Sequence, residues 1–172
     1  FDAALYASSH NLMLGTSPTE FSPNITMTRG MLVTVLYRMN GSPSVSGKTP
    51  FTDVRTDEWY SAAVLWAYQN GIVTGMSDTT FAPINNVTRE QMATILFRYT
   101  KTAAPDKAKA SADLSGFADA GSVNDWAVDA MRWAVGQKLI AGITLEQSVY
   151  LQPRGNATRA QAATVLTRYY AQ

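Results

Sequence analysis

The chain repeats itself, and this limits the architectures open to it more than its composition does. Residues 1–39 superimpose on residues 61–99 at a shift of 60 without a gap, matching Ala3/Ala63, Leu5/Leu65, Ala7/Ala67, Gly15/Gly75, Phe21/Phe81, Pro23/Pro83, Thr28/Thr88, Arg29/Arg89, Leu36/Leu96 and Arg38/Arg98. A third copy follows. Trp126, Trp133, Ala134 and Gly142 repeat Trp59, Trp66, Ala67 and Gly75 at a shift of 67. After a three-residue insertion within 143–150, Pro153, Thr158, Arg159, Gln161, Leu166, Arg168 and Tyr169 repeat Pro83, Thr88, Arg89, Gln91, Leu96, Arg98 and Tyr99 at a shift of 70. A unit of about 50 residues has little core of its own, so such copies must bury their apolar faces against one another.

The copies span 1–40, 51–101 and 117–172, joined by linkers at 41–50 and 102–116 that are polar and rich in Ser, Pro, Gly or Lys. Copies two and three open with Phe51-x-Asp53 and Phe117-x-Asp119, followed by Trp59 and Trp126. The first copy begins ten residues later in the unit and lacks that opening. Phe1 is neither an initiator Met nor the start of a signal peptide, so the chain reads as a piece of something longer, with a cargo domain attached upstream.

Each copy reads as helix, loop, helix. In the second, Asp57 or a neighbour is expected to cap a helix from about Glu58 to Asn70, which Gly71 ends at C′. The second helix begins at Thr88 and carries Met92, Ile95, Leu96 and Tyr99 at i, i+3, i+4, i+7. Leu32, Val35, Leu36, Met39 and Ala162, Val165, Leu166, Tyr169 repeat that stripe. Three such helices of equal length predict an all-α, pseudo-threefold domain of three helix-loop-helix repeats around a shared three-helix bundle.

The helix starts carry the chemistry. Thr88 with Gln91 and Thr158 with Gln161 fit capping boxes, whereas Thr28 is followed three residues on by Met31. Arg29, Arg89 and Arg159 each take the first helical position, where the positive end of the helix dipole repels a cation. One explanation is an anion site, with free helix amides and a guanidinium converging on a carboxylate or phosphate. The other is internal: an ion pair with Asp53 or Asp119, or an arginine stem packed on Trp. Arg38, Arg98 and Arg168 fall near helix C-termini, where a cation is welcome. Trp66 and Trp133 lie seven residues after Trp59 and Trp126, close to the same helix face, so at least one member of each pair belongs to the core; Trp59 and Trp126 read either as core or as platforms for a sugar ring.

Charge narrows the function. Fourteen Lys plus Arg against thirteen Asp plus Glu leave +1, too balanced for a protein that releases counterions from nucleic acid. No apolar run is long enough for membrane insertion. Cysteine is absent, which removes thiolate metal sites and cysteine nucleophiles. No metal, cofactor or catalytic residue is expected: nucleophile-elbow, HExxH, EF-hand and phosphate-loop patterns are missing. Asp53 and Asp119 are repeat-equivalent, which suits binding better than a catalytic pair.

Phe-x-Asp-Val, Trp-Tyr-x-x-Ala-Val, Asn-Gly-Ile-Val-x-Gly, Thr-Phe-x-Pro and Thr-Arg-Glu-Gln, in that order and repeated along the chain, resemble the surface-layer homology repeats of bacterial cell-envelope proteins. The resemblance implies a three-pronged pseudo-trimer around a central three-helix bundle. It also implies a non-covalent anchor outside the cell for cell wall polysaccharide, often ending in pyruvylated N-acetylmannosamine, or for peptidoglycan-linked glycan. The ligand-binding residues it implies are Arg29, Arg89, Arg159, Asp53, Asp119, Trp59 and Trp126, lining grooves between repeats. Arg89 and Arg159 are expected to matter most. The alternative is a helical-repeat module for protein–protein interaction or self-assembly.

Overall fold

The computed structural model describes residues 2–10, 12–17 and 19–171. Its helices are α1 (Asp2–Ser9), α2 (Arg29–Met39), α3 (Ser61–Gln69), α4 (Arg89–Ala103), α5 (Val128–Gly136) and α6 (Arg159–Tyr170). Short 3-10 turns lie at Pro105–Lys109, Ala120–Ser122 and Asp125–Ala127. An antiparallel hairpin pairs β1 (Ile143–Leu145) with β2 (Ser148–Tyr150), Ile143 opposite Tyr150. It occupies the insertion of the third copy, where the second copy has the single antiparallel bridge of Ser77 and Thr80.

The apolar stripes dictate the packing. Leu32, Val35, Leu36, Met92, Ile95, Leu96, Tyr99, Ala162, Val165, Leu166 and Tyr169 are all buried. Each large member contributes about 1.5–3 kcal/mol by leaving water. The pairs cross copy boundaries: α3 lies on α2, α5 on α4, and α1 on α6. Trp66 on α3 meets Tyr37 of α2 at 5.7 Å between ring centroids, and Trp133 on α5 meets Phe97 of α4 at 5.2 Å. Tyr99 of α4 and Tyr169 of α6 lie 6.1 Å apart.

The loops that lead into α2, α4 and α6 close a ring. Met27 N–H donates to Ala157 C=O at 2.8 Å, Ala157 N–H to Val87 C=O at 2.9 Å, and Val87 N–H to Met27 C=O at 2.9 Å. All three residues are fully buried, so their polar backbone groups must find partners, and each finds them in the other two copies.

Two local expectations need correction. Helix α3 starts at Ser61, with Tyr60 at its N-cap and no side-chain cap. Asp57 pairs with Arg55 at 2.9 Å instead, and Ser61 Oγ donates to the Arg55 and Glu58 carbonyls, holding the preceding turn. Gly71 does follow the helix, with φ +67. Second, the helices that begin at the three Thr-Arg pairs are unequal, at 11, 15 and 12 residues. Helix α4 runs on through Thr102 and Ala103 until Pro105, which has no N–H to continue it.

The 102–116 linker packs against the third copy. The Lys107 carbonyl accepts from Trp133 Nε1 at 2.9 Å and Gln137 Nε2 at 2.6 Å, and Leu114 is buried. In the 41–50 linker, the Pro43 carbonyl accepts from Tyr37 and the Ser46 carbonyl from Gln69.

Candidate functional site

Thr28, Thr88 and Thr158 sit in extended backbone at the starts of α2, α4 and α6, and each side chain accepts from the amide three residues on. Gln91 and Gln161 reach back to the amides of Thr88 and Thr158, completing two capping boxes. The next two amides of each helix are not free. Arg29 N–H donates to Asn85 C=O and Gly30 N–H to Pro83 C=O, at 2.9 and 2.8 Å. Arg89 and Glu90 donate to Gly155 and Pro153, and Arg159 and Ala160 to Ile25 and Pro23, all at 2.9 Å. The expectation of free helix amides facing an anion is therefore corrected: the loop of another copy supplies the carbonyls that the helix ends require.

The motif arginines follow their helices into these contacts. Arg29 Nε donates to Phe81 C=O at 2.8 Å, and its guanidinium lies 4.7 Å above the Phe81 ring. Arg89 Nε donates to Leu151 C=O at 2.7 Å. Arg159 donates to Phe21 C=O from Nε at 2.9 Å and to Leu14 C=O from Nη2 at 2.6 Å, with its guanidinium 4.8 Å above the Phe21 ring. All three side chains are buried. Burial pulls Arg29 down to about 10 against the opposing pull of Asp53. It lowers Arg89 against Asp119, and it lowers Arg159 as well.

Asp53 and Asp119 form no ion pair with these arginines among the described residues. Asp53 instead accepts from Phe81 N–H at 2.9 Å and Ala82 N–H at 2.7 Å. Asp119 accepts from Leu151 N–H at 2.7 Å and Gln152 N–H at 2.8 Å. Each carboxylate thus holds the N–H of the residue whose carbonyl an arginine holds. The stacking partner of Arg29 and of Arg159 is a Phe, not a Trp.

Trp59 and Trp126 are more than half exposed, at 58% and 54%, while Trp66 and Trp133 are buried. Trp126 lines a groove of about 330 Å³ with Arg29, the Val73–Met76 loop, and Gln91, Thr94, Ile95 and Arg98 of α4. The groove therefore draws on all three copies. It contains two cations and no carboxylate, with Arg98 Nη1 3.3 Å from Thr74 Oγ1. Arg89, Arg159, Asp53, Asp119 and Trp59 do not line it.

The sequence reads Arg98, with Arg38 and Arg168, as a cation placed for the helix dipole, and the structure puts it in the groove lining. Glu90 is buried, and its carboxylate accepts from Asn124 N–H at 3.1 Å and Asn124 Nδ2 at 2.6 Å. Among the described residues no helix is long and apolar enough to cross a membrane, and no group of three His, Asp or Glu could hold a metal.

The chain is 34% identical to an endoglucanase of Bacillus sp. (strain KSM-635) over 91% of its own length and 16% of that protein. It is 32% identical to the surface-layer 125 kDa protein of Lysinibacillus sphaericus over 90% of its length and 12% of that protein. It is 27% identical to cell surface glycoprotein 1 of Acetivibrio thermocellus over 46% of its length and 4% of that protein. The chain thus spans under a fifth of each relative, and the activity in the endoglucanase's name belongs to a far longer protein. The family model for the S-layer homology domain matches residues 50–93 and 116–163, leaving the first copy outside it. Domains of this family anchor proteins to the cell wall, outside the cell. Matched over more than half its length, the chain belongs to the S-layer homology domain family.

Proposed function

We propose that this chain is a non-covalent, non-catalytic anchor that holds an attached cargo to an anionic cell wall polysaccharide. Its three copies, the first included, act as one three-pronged pseudo-trimer around a bundle of α2, α4 and α6. The carrying observation is the groove where Arg29 and Arg98 meet the exposed Trp126 with no acidic side chain in the lining. A pyruvate ketal is a carboxylate borne on a sugar, so the guanidinium of Arg98 holds the charge while the indole covers the apolar ring face. Arg29 adds positive potential from below while its Nε stays committed to Phe81. Engagement of more than one groove by one wall would multiply affinity without new contacts.

Co-sedimentation with bacterial wall sacculi, before and after acid extraction of the secondary polymer, tests this reading. Binding should be lost on extraction and in an Arg98→Ala/Trp126→Ala double variant. Binding indifferent to both would overturn it.

A further inference from the structure

The boundary between copies one and two and the boundary between copies two and three carry exchanged residues at one point. At the first, Gly30 is the second residue of α2, and Tyr60 packs over it. A Cβ there would stand 3.4 Å from Cδ1 of the Tyr60 ring and 2.9 Å from the Pro83 carbonyl oxygen. At the second, Glu90 takes the place of Gly30 at the start of α4, and the fully buried Ala127 takes the place of Tyr60. The volume the aromatic ring gives up is the volume a longer side chain at position 90 needs.

Glu90 uses that room to reach one residue. Its carboxylate accepts from both the N–H and Nδ2 of Asn124, and Arg154 Nη2 reaches Asn124 Oδ1 from outside at 3.4 Å. Asn124 is the N-cap of the 3-10 turn Asp125–Ala127, which Ala127 N–H closes on Asn124 C=O at 2.8 Å. Trp126 is the middle residue of that turn, and it lines the groove with Arg29 and Arg98. The turn has no side-chain cap of its own, so Glu90 supplies its anchor on α4. A carboxylate suits this place, because the first turn of a helix favours negative charge. At the first boundary Asp57 stands where Asn124 does. Gly30 offers it no side chain, and it pairs with the exposed Arg55 instead.

We infer that Glu90 is a positioning residue for the groove: by clamping Asn124 it fixes the turn that presents Trp126 to a sugar ring beside Arg98. The inference rests on the anchoring reading above. A turn held in the free protein has its indole in place before a ligand arrives, so binding does not have to order it. Only the second boundary carries the clamp, so it acts on Trp126 and leaves Trp59 alone.

The test follows the tryptophans of the fluorotryptophan-labelled chain by fluorine NMR, with the Trp126 signal assigned by Trp126→Phe, alongside co-sedimentation with wall sacculi. Asn124→Asp sets a second carboxylate against Glu90. Glu90→Gln added to it restores the match, the new amide donating to the new carboxylate while its oxygen accepts from the backbone N–H. Glu90→Ala, the residue copy three has as Ala160, removes the clamp without adding charge. Each single variant should move the Trp126 signal, leave that of Trp59 in place, and weaken sacculus binding roughly tenfold, toward the level of Trp126→Ala. The double variant should return both signal and binding to those of the parent, which a loss of packing elsewhere could not do. An unmoved Trp126 signal in both single variants would overturn the inference. So would a double variant as impaired as Asn124→Asp, or a displaced ring with wall binding unchanged. A parent chain that binds no sacculi would instead overturn the anchoring reading, and the fluorine signals of the free protein do not depend on that outcome.

Discussion

Arg29 and Phe81, 52 residues apart, are joined twice: Nε donates to the carbonyl at 2.8 Å, and the guanidinium covers the ring at 4.7 Å. Arg159 and Phe21 repeat the relationship at 2.9 and 4.8 Å. This accounts for a cation at a helix start that disfavours it. The planar guanidinium stacks on an aromatic face while its edge satisfies a buried carbonyl, which the dipole penalty of a few tenths of a kcal/mol does not outweigh. The conspicuous arginines of the sequence are therefore clamps between copies.

Arg89→Ala should accordingly destabilise the fold, by about 1.5–3 kcal/mol, because the Leu151 carbonyl loses a charged donor in a buried place. Arg89→Lys should recover little of it, since an ammonium cannot reproduce the edge geometry of Nε. Urea unfolding of the two variants decides this. Equal stability of Arg89→Ala and the parent would contradict the clamp.

Asp119→Asn tests the other half of the same loop. The carboxylate accepts from two amides with two oxygens, and the amide side chain has only one acceptor. We expect a loss of about 1–3 kcal/mol in urea and faster amide exchange at Leu151 and Gln152. Protection of those two amides unchanged from the parent would sink the assignment.

The helix caps separate cleanly. Thr88→Ala should cost about 1 kcal/mol, and Gln91→Ala should remove only the reciprocal half of the box. Thr28→Ala acts on a cap with no reciprocal partner, so a second change at Met31 to Ala should show no capping coupling with it. Double-mutant cycles in both helices measure the difference.

Alkaline titration should reveal the helix contact. Burial raises Tyr99 and Tyr169 above the ordinary phenol value, so both stay neutral in the folded chain while their unfolded counterparts ionise. Their contribution is complete below the unfolded value near 10 and is lost as pH rises through the higher folded values. Absorbance at a phenolate wavelength should show these two, and Tyr60, which burial also raises, ionising after the exposed tyrosines, together with loss of near-ultraviolet circular dichroism. Ionisation of all eight tyrosines in one early step would contradict their burial.

Much of this molecule is decided within four residues along the chain. The i, i+3, i+4, i+7 stripes, the Thr-Gln boxes and the glycine after α3 are local, because a helix turn brings only such neighbours together. The triplication itself is likewise plain in the letters. What only tertiary structure decided are partners 50 or more residues apart. Whether Arg29 faces a ligand or Phe81, whether helix amides stay open or meet Pro83 and Asn85, and whether Trp126 joins Asp119 or the groove over Arg29 all depend on how the copies close on one another. Closure turns on the ring through Met27, Val87 and Ala157, whose hydrogen bonds link copies that no local periodicity relates. Burying those backbone groups forces them to be satisfied, and the same closure that satisfies them consumes the helix ends and aims the tryptophans outward.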